Sequence, residues 1–200
     1  NSTFDYTKIK KLRSLTLIPF DTHLMINEPV KQIQNYIDAG SDIVTVHTEV
    51  CDESSFGEIH DLLKSNKVSV GLAINPDTSM PEWSKKFIPT LDQVIVMSVV
   101  PGKSGQKYIE NTHEKTKNLM SSLKENNFTG YIEADGGVTL DNIGQCFADG
   151  ARAFVGGSAI IGQTDVRLVI REFRNQVLRT RRKLLIQKAN ELGGTELVNK

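Results

Sequence analysis

The feature that most narrows what this chain can fold into is a rhythm. Short, nearly unbroken Val/Ile/Leu runs alternate along it with longer stretches of helical period. The runs predict strands at 17–25, 43–47, 68–74, 93–99, 130–135 and 153–157. The stretches around them predict helices at 6–13, 29–39, 54–65, 81–87, 109–125 and 140–148. Strands that are apolar on both faces, rather than strictly alternating, belong to a parallel sheet with helices packed over it. The fold class is therefore α/β.

Several boundaries carry their own chemistry. In Asn27-Glu28-Pro29 the proline takes the first helical position, where its missing N–H costs nothing. Gly40 and Gly150 follow helices as left-handed stops. No low-complexity linker divides the 200 residues, so residues 1–200 read as one domain. Repeated βα units permit an open doubly wound sheet or part of a β/α-barrel. In both, ligands bind at the carboxyl ends of the strands.

A last helical pattern begins near Asp165 and runs to about Leu192, with Val166, Val169, Ile170, Phe173 and Val177 as its apolar stripe. The run Arg179-Thr180-Arg181-Arg182-Lys183 interrupts that stripe and reads as a solvated basic face, a subunit contact or a patch that attracts anions. Beyond it, Leu184, Leu185, Ala189 and Leu192 could dock on a partner such as a second copy of the chain. The chain balances 24 basic against 24 acidic residues, which gives no footprint for nucleic acid and no pull toward an anionic membrane. No run reaches the roughly 20 apolar residues of a membrane span. Cys51 and Cys146 fit no metal or redox spacing and read as reduced thiols, and the cytoplasm is the expected location.

Polar residues gather where the predicted strands end. Asp21-Thr22-His23-Leu24-Met25 closes the first, and its imidazole reads as metal ligand, general base or satisfied core group. His47 with Glu49 reads as a structural hydrogen bond. The fourth strand runs into Val99-Val100-Pro101-Gly102-Lys103-Ser104-Gly105, a loop whose backbone donors could close over an anion. The fifth ends in Glu133-Ala134-Asp135-Gly136-Gly137 and the sixth in Val155-Gly156-Gly157-Ser158. Two successive strands ending in Gly-Gly, each leading toward a helix start, suit a phosphate held by backbone N–H groups.

Taken in order, DTHLM, DAGSDIVTVHTE, VGLAINPDT, LDQVIVMSVVPGKSGQ, IEADGGV and VGGSAII resemble the ribulose-phosphate 3-epimerase family from Phe20 to Ile161. The resemblance implies a TIM (β/α)8 barrel of which strands three to eight are present, with Asn1 following the loop after strand two. It implies interconversion of D-ribulose 5-phosphate and D-xylulose 5-phosphate by proton transfer at C3. D-allulose 6-phosphate is the alternative substrate, and a non-catalytic phosphosugar binder the alternative class. One divalent metal ion (Zn, Fe, Mn or Co) is implied, with His23 and Asp135 as ligands and Asp135 as acid/base. Met25 and Met97 match methionines that pack around the reacting carbons. Gly102, Gly105, Gly136, Gly137, Gly157 and Ser158 match phosphate-binding and loop positions. The family's His-x-Asp motif of strand two would stand before Asn1, so the resemblance implies a longer natural protein. Lys103 and Ser104 stand where the family has an aromatic residue and a glycine, and Val100 replaces a polar residue.

Overall fold

The structure is a computed structural model that describes residues 4–102 and 105–192. Its elements follow the order α1 (Tyr6–Arg13), β1 (Asp21–Leu24), α2 (Pro29–Asp38), β2 (Ile43–His47), α3 (Glu53–Ser65), β3 (Ser69–Ile74), β4 (Gln93–Met97), α4 (Thr112–Glu125), β5 (Tyr131–Asp135), α5 (Ile143–Asp149), β6 (Ala151–Val155) and α6 (Val166–Glu191). All six strands are parallel, and each pairs only with its neighbours in sequence. This is an α/β fold, as the alternation required.

The sheet is curled. β1 and β5 stand four places apart, about 19 Å in a flat sheet. Yet the side chains of His23 on β1 and Asp135 on β5 touch at 3.1 Å. Only a rolled sheet brings them together, and its concave face forms a half-barrel lumen.

Parity along the strands then sorts the residues. Val44, Val46, Val70, Leu72, Val94, Val96 and Ile132 point outward into the main core beneath the helices, where Phe56, Ile59, Leu63 and Leu123 meet them. Each is 2% exposed or less, so each contributes roughly 1.5–3 kcal/mol through removal from water. The lumen side is different. A small apolar group, Ala73, Ile95, Met97 and Val99, lines part of it, and polar side chains line the rest.

Five expectations about elements need correction. The strand expected at 17–25 is confined to Asp21–Leu24. Leu17 and Ile18 ahead of it are 97% and 70% exposed. The Arg13 guanidinium donates to the carbonyls of Thr16 and Ile18, and Phe20 N–H donates to Asp42, so side chains rather than a ladder hold this segment. The helix expected at 81–87 is instead two short 3₁₀ turns, Glu82–Lys86 and Ile88–Thr90. Pro89 lies in the second, where its ring disfavours helical geometry at the residue before it. The helix expected at 109–125 starts at Thr112 and the one expected at 140–148 runs from Ile143 to Asp149. The last strand is Ala151–Val155 rather than 153–157, because register shifts beside Ile132 and Glu133 and an extra residue, Arg152, bulges from β6.

The final helix is continuous through the basic run, from Val166 to Glu191. Phe173 is its buried anchor, and Leu178, Leu184 and Leu185 are exposed. Both cysteines are free thiols, with Cys146 buried. Among the described residues, no helix is long and apolar enough to cross a membrane.

Candidate active site at the carboxyl ends of the strands

The lumen holds an unbroken line of polar contacts. His23 Nδ1 faces Asp135 Oδ2 at 3.1 Å, and His23 Nε2 meets His47 Nε2 at 2.8 Å with the rings nearly parallel, 14° apart. His47 Nδ1 lies 3.1 Å from Glu49 Oε2. The other oxygen of Glu49 accepts from Asn75 N–H and from the Thr78 hydroxyl. Lys115, reaching over from α4, donates to the carbonyls of Asn75 and Thr78. Four strand ends are thereby tied into one network.

The order of protons along this line follows from its far end. Burial alone would raise the Glu49 carboxyl, but hydrogen bonds from Thr78 and Asn75 outweigh it and hold the group below its ordinary value. It is therefore an anion that accepts from His47 Nδ1–H. Burial first, and then the adjacent His23, lower His47 below its ordinary value, so its ring is neutral and Nε2 is a bare acceptor. The proton between the rings consequently belongs to His23 Nε2. On its other side His23 Nδ1 faces a carboxylate oxygen of Asp135, to which it either donates a proton or presents a lone pair. Two acceptors 3.1 Å apart require something positive between them, a proton or a cation.

The separation suits a cation. Two cis ligands at about 2.1 Å from one metal, at roughly a right angle, stand about 3 Å apart. An imidazole nitrogen with a carboxylate oxygen is a donor pair for zinc, iron, manganese or cobalt. The pair could supply two ligands of a coordination shell. Among the described residues no group of three His, Cys, Asp or Glu converges as a metal site.

Below this line lies a second pair of acids. Glu133, 8% exposed, is pushed up to about 8, first by burial and then by the charges of Asp21 and Asp135. Asp21 is raised as well, mainly by burial. Gln93 and Tyr131 complete the level, with the Tyr131 hydroxyl donating to Gln93 Oε1 at 2.6 Å. The sequence reading gave these residues no role.

The glycine turns have two different surroundings. Gly136 and Gly137 have φ of +116° and +63°, in the left-handed region. A Cβ on Gly136 would lie 2.4 Å from Val99 Cγ2, and one on Gly137 2.5 Å from Tyr108 N. These glycines pack against the two ends of the β4–α4 loop. Ser98 secures the same contact by donating to the carbonyls of Asp135 and Gly136, and Ile109 N–H closes the loop's base on Ser98 O. Gly102, Gly105 and Gly157 have open space where a Cβ would point. Lys103 and Ser104 lie outside the described residues.

Asp135 and Val155 are register partners, so the Gly136-Gly137 and Gly156-Gly157 turns leave the sheet at one level. The second passes straight into a π-helical turn, Gly157–Ile161, on which Ser158 is exposed. The first does not lead directly into a helix, because Val138–Asn142 intervene before α5. Met97 is the register partner of Asp135 and 1% exposed. Met25, just past β1, is 45% exposed and lines a groove of about 520 Å³ along the outer side of that strand.

The family model for the ribulose-phosphate 3 epimerase family matches residues 1–161. The chain belongs to the ribulose-phosphate 3-epimerase family. Among its relatives, ribulose-phosphate 3-epimerase of Escherichia coli strain K12 is 34% identical over 178 residues, covering 88% of this chain and 78% of that protein. The Bacillus subtilis enzyme of the same name is 35% identical over 87% of this chain and 79% of its own length. Chloroplastic ribulose-5-phosphate-3-epimerase of Arabidopsis thaliana is 36% identical over 82% of this chain, which spans 58% of the plant protein. Solved structures of similar fold include 3-hexulose-6-phosphate synthase from Salmonella typhimurium, with a TM-score of 0.64, 20% identity and coverage of 88% of this chain and 81% of that one. Another is 3-keto-L-gulonate-6-phosphate decarboxylase from Vibrio cholerae, with a TM-score of 0.61, 14% identity and coverage of 88% and 79%.

In this epimerase-family chain the curl brings His23, Asp135 and Met97 to one end of the lumen. His47 and Glu49 are the residues that sequence reasoning set aside. Their hydrogen bond is present as expected, and His47 in turn reaches the ring of His23. The available signal was His47 at the terminus of a predicted strand, one sheet position from His23.

Proposed function

We propose that the protein is a metal-dependent epimerase acting on a phosphorylated ketose, interconverting D-ribulose 5-phosphate and D-xylulose 5-phosphate at C3. The observation that carries this is the imidazole nitrogen and the carboxylate oxygen, His23 Nδ1 and Asp135 Oδ2, facing each other across 3.1 Å at the carboxyl ends of the strands. Family membership and relatives named for this reaction supply the substrate class. The six strands stand as strands three to eight of a (β/α)8 barrel; the unpaired outer sides of β1 and β6 and coverage of 78% of the Escherichia coli relative support that placement. In this reading the second acid/base group belongs to strand two.

Bound by His23 and Asp135, a divalent cation would polarise the ketose oxygens and stabilise the charge of an enediolate. Asp135 takes or returns the C3 proton on its face of the carbon, being the carboxylate at the strand terminus. Met97 supplies a dry wall beside it. Backbone N–H groups around Gly136, Gly137, Gly157 and Ser158 hold the phosphate, and Gly102 and Gly105 belong to the loop above. His47 and Glu49 keep the His23 lone pair turned toward the cation, as the outer hydrogen-bond partners of metal-bound histidines do.

Turnover of D-ribulose 5-phosphate, followed with an enzyme coupled to xylulose 5-phosphate, tests the proposal. Chelator should lower kcat/KM by about 1,000-fold, with recovery on adding back a divalent ion. A rate untouched by chelator, or no turnover with metal present, would sink it. Glu49→Ala should weaken metal binding by roughly 10- to 100-fold in chelator competition, a readout independent of turnover. Unchanged affinity would deny Glu49 its orienting role.

A further inference from the structure

On the outside of the sheet, remote from His23, a carboxylate is buried where helix electrostatics oppose it. Asp149 is the last residue of α5 and its side chain is 0% exposed. The carboxyl end of a helix carries partial negative charge, so an anion there needs compensation. Three donors supply it: His113 Nδ1 at 2.5 Å from Oδ2, with Lys117 Nζ at 3.2 Å and Gln145 Nε2 at 2.7 Å from Oδ1. His113 and Lys117 sit one turn apart on α4.

Such an arrangement is a poor investment for stability alone, since a buried ion pair roughly breaks even against a well-packed apolar pair. What it holds is more telling. The His113 ring lies against the ring of Tyr108, with centroids 4.7 Å apart and planes 30° apart. Burial pushes the Tyr108 hydroxyl well above its ordinary value, so the phenol stays neutral in its slot between α4 and α5. The backbone of Tyr108 in turn abuts Gly137 so closely that no Cβ fits there.

We infer that Asp149 and His113 are positioning residues that, through Tyr108, hold the Gly136-Gly137 turn in the shape that grips a phosphate. This rests on the phosphate reading of that turn given above. Neither residue touches the ligand. Each step of the chain is a contact: Asp149 to His113, His113 to Tyr108, Tyr108 to Gly137.

The test uses the holoenzyme and a double variant, His113→Leu with Asp149→Leu, which removes both partners of the contact together. Asp149→Asn serves as the conservative second variant, should the double change fail to fold. Thermal midpoint, kcat, KM and the dissociation constant for inorganic phosphate are read together. The double variant is expected to keep its midpoint and its kcat within about twofold, while KM and the phosphate constant each rise about tenfold. Asp149→Asn, which retains the bond from Gln145, should show a smaller rise in both. Phosphate affinity equal to wild type in a folded variant overturns the inference, as does a fall in kcat at constant KM. If the wild type binds phosphate but does not turn over ribulose 5-phosphate, the epimerase reading fails and the phosphate arm still decides this one. If the wild type binds no phosphate, this inference fails with it.

Discussion

Asp135→Asn is expected to abolish exchange of the C3 proton with solvent, slowing it by about 10³-fold or more, while phosphate affinity stays within about twofold. The carboxylate stands at the end of β5 beside the buried Met97 and opposite His23. Its replacement removes the carboxylate that the proposed reaction uses to move the C3 proton. The glycine turns recognise an anion through the backbone and should not respond. Because Asp135 is also a proposed metal ligand, bound metal must be measured in the same preparation. Exchange lost with metal retained assigns proton transfer to this residue. Exchange lost together with metal leaves it a ligand only. Unimpaired exchange removes it from the mechanism.

Gly137→Val should be the most damaging single change among the glycines. Its left-handed φ of +63° costs a side chain about 1–2 kcal/mol. Its Cβ would also stand 2.5 Å from Tyr108 N, a backbone atom that cannot rotate away. Overpacking of that kind costs typically 1–3 kcal/mol. A combined loss of about 3 kcal/mol lowers the melting midpoint by about 10 °C for a chain of this size. Gly157→Ala is the control. It meets nothing within 4 Å, so its stability should change by less than about 0.5 kcal/mol. Any rise in KM for Gly157→Ala then reports on the ligand alone. Equal melting midpoints for Gly137→Val and wild type would show that the loop stem yields freely.

Most of the sheet was legible because β2, β3, β4 and β5 each bury Val, Ile or Leu residues beneath the helices. Ile43–His47 is a continuous run in sequence and a strand at those bounds in space. The run ahead of Asp21 misled for the opposite reason. Leu15, Leu17 and Ile18 are as apolar as any strand, yet they are exposed, and Arg13 rather than a neighbouring strand takes the carbonyls. Hydrophobicity cannot reveal a missing ladder partner.

In the candidate site, motif order along the sequence singled out His23 and Asp135. Their meeting depended on the curl of the sheet, a property no local window encodes. His47 was undervalued because its bond to Glu49, two residues away, already satisfied one nitrogen on paper. The burial of Asp149 was invisible for a similar reason. Its partners His113 and Lys117 lie on another helix, more than thirty residues earlier.

The bulged residue Arg152 has the force of a counting rule. Its guanidinium rests on Phe147 and on nearby carbonyls, so many other side chains would serve in its place. Its peptide unit is another matter. Shortening the chain by that one unit would set Ala153 directly after Ala151 and still opposite Glu133, so the register would become regular while Ala153 and Val155 kept their lumen side. Position 152 should therefore accept almost any substitution, and its deletion should straighten β6 without exchanging its two faces.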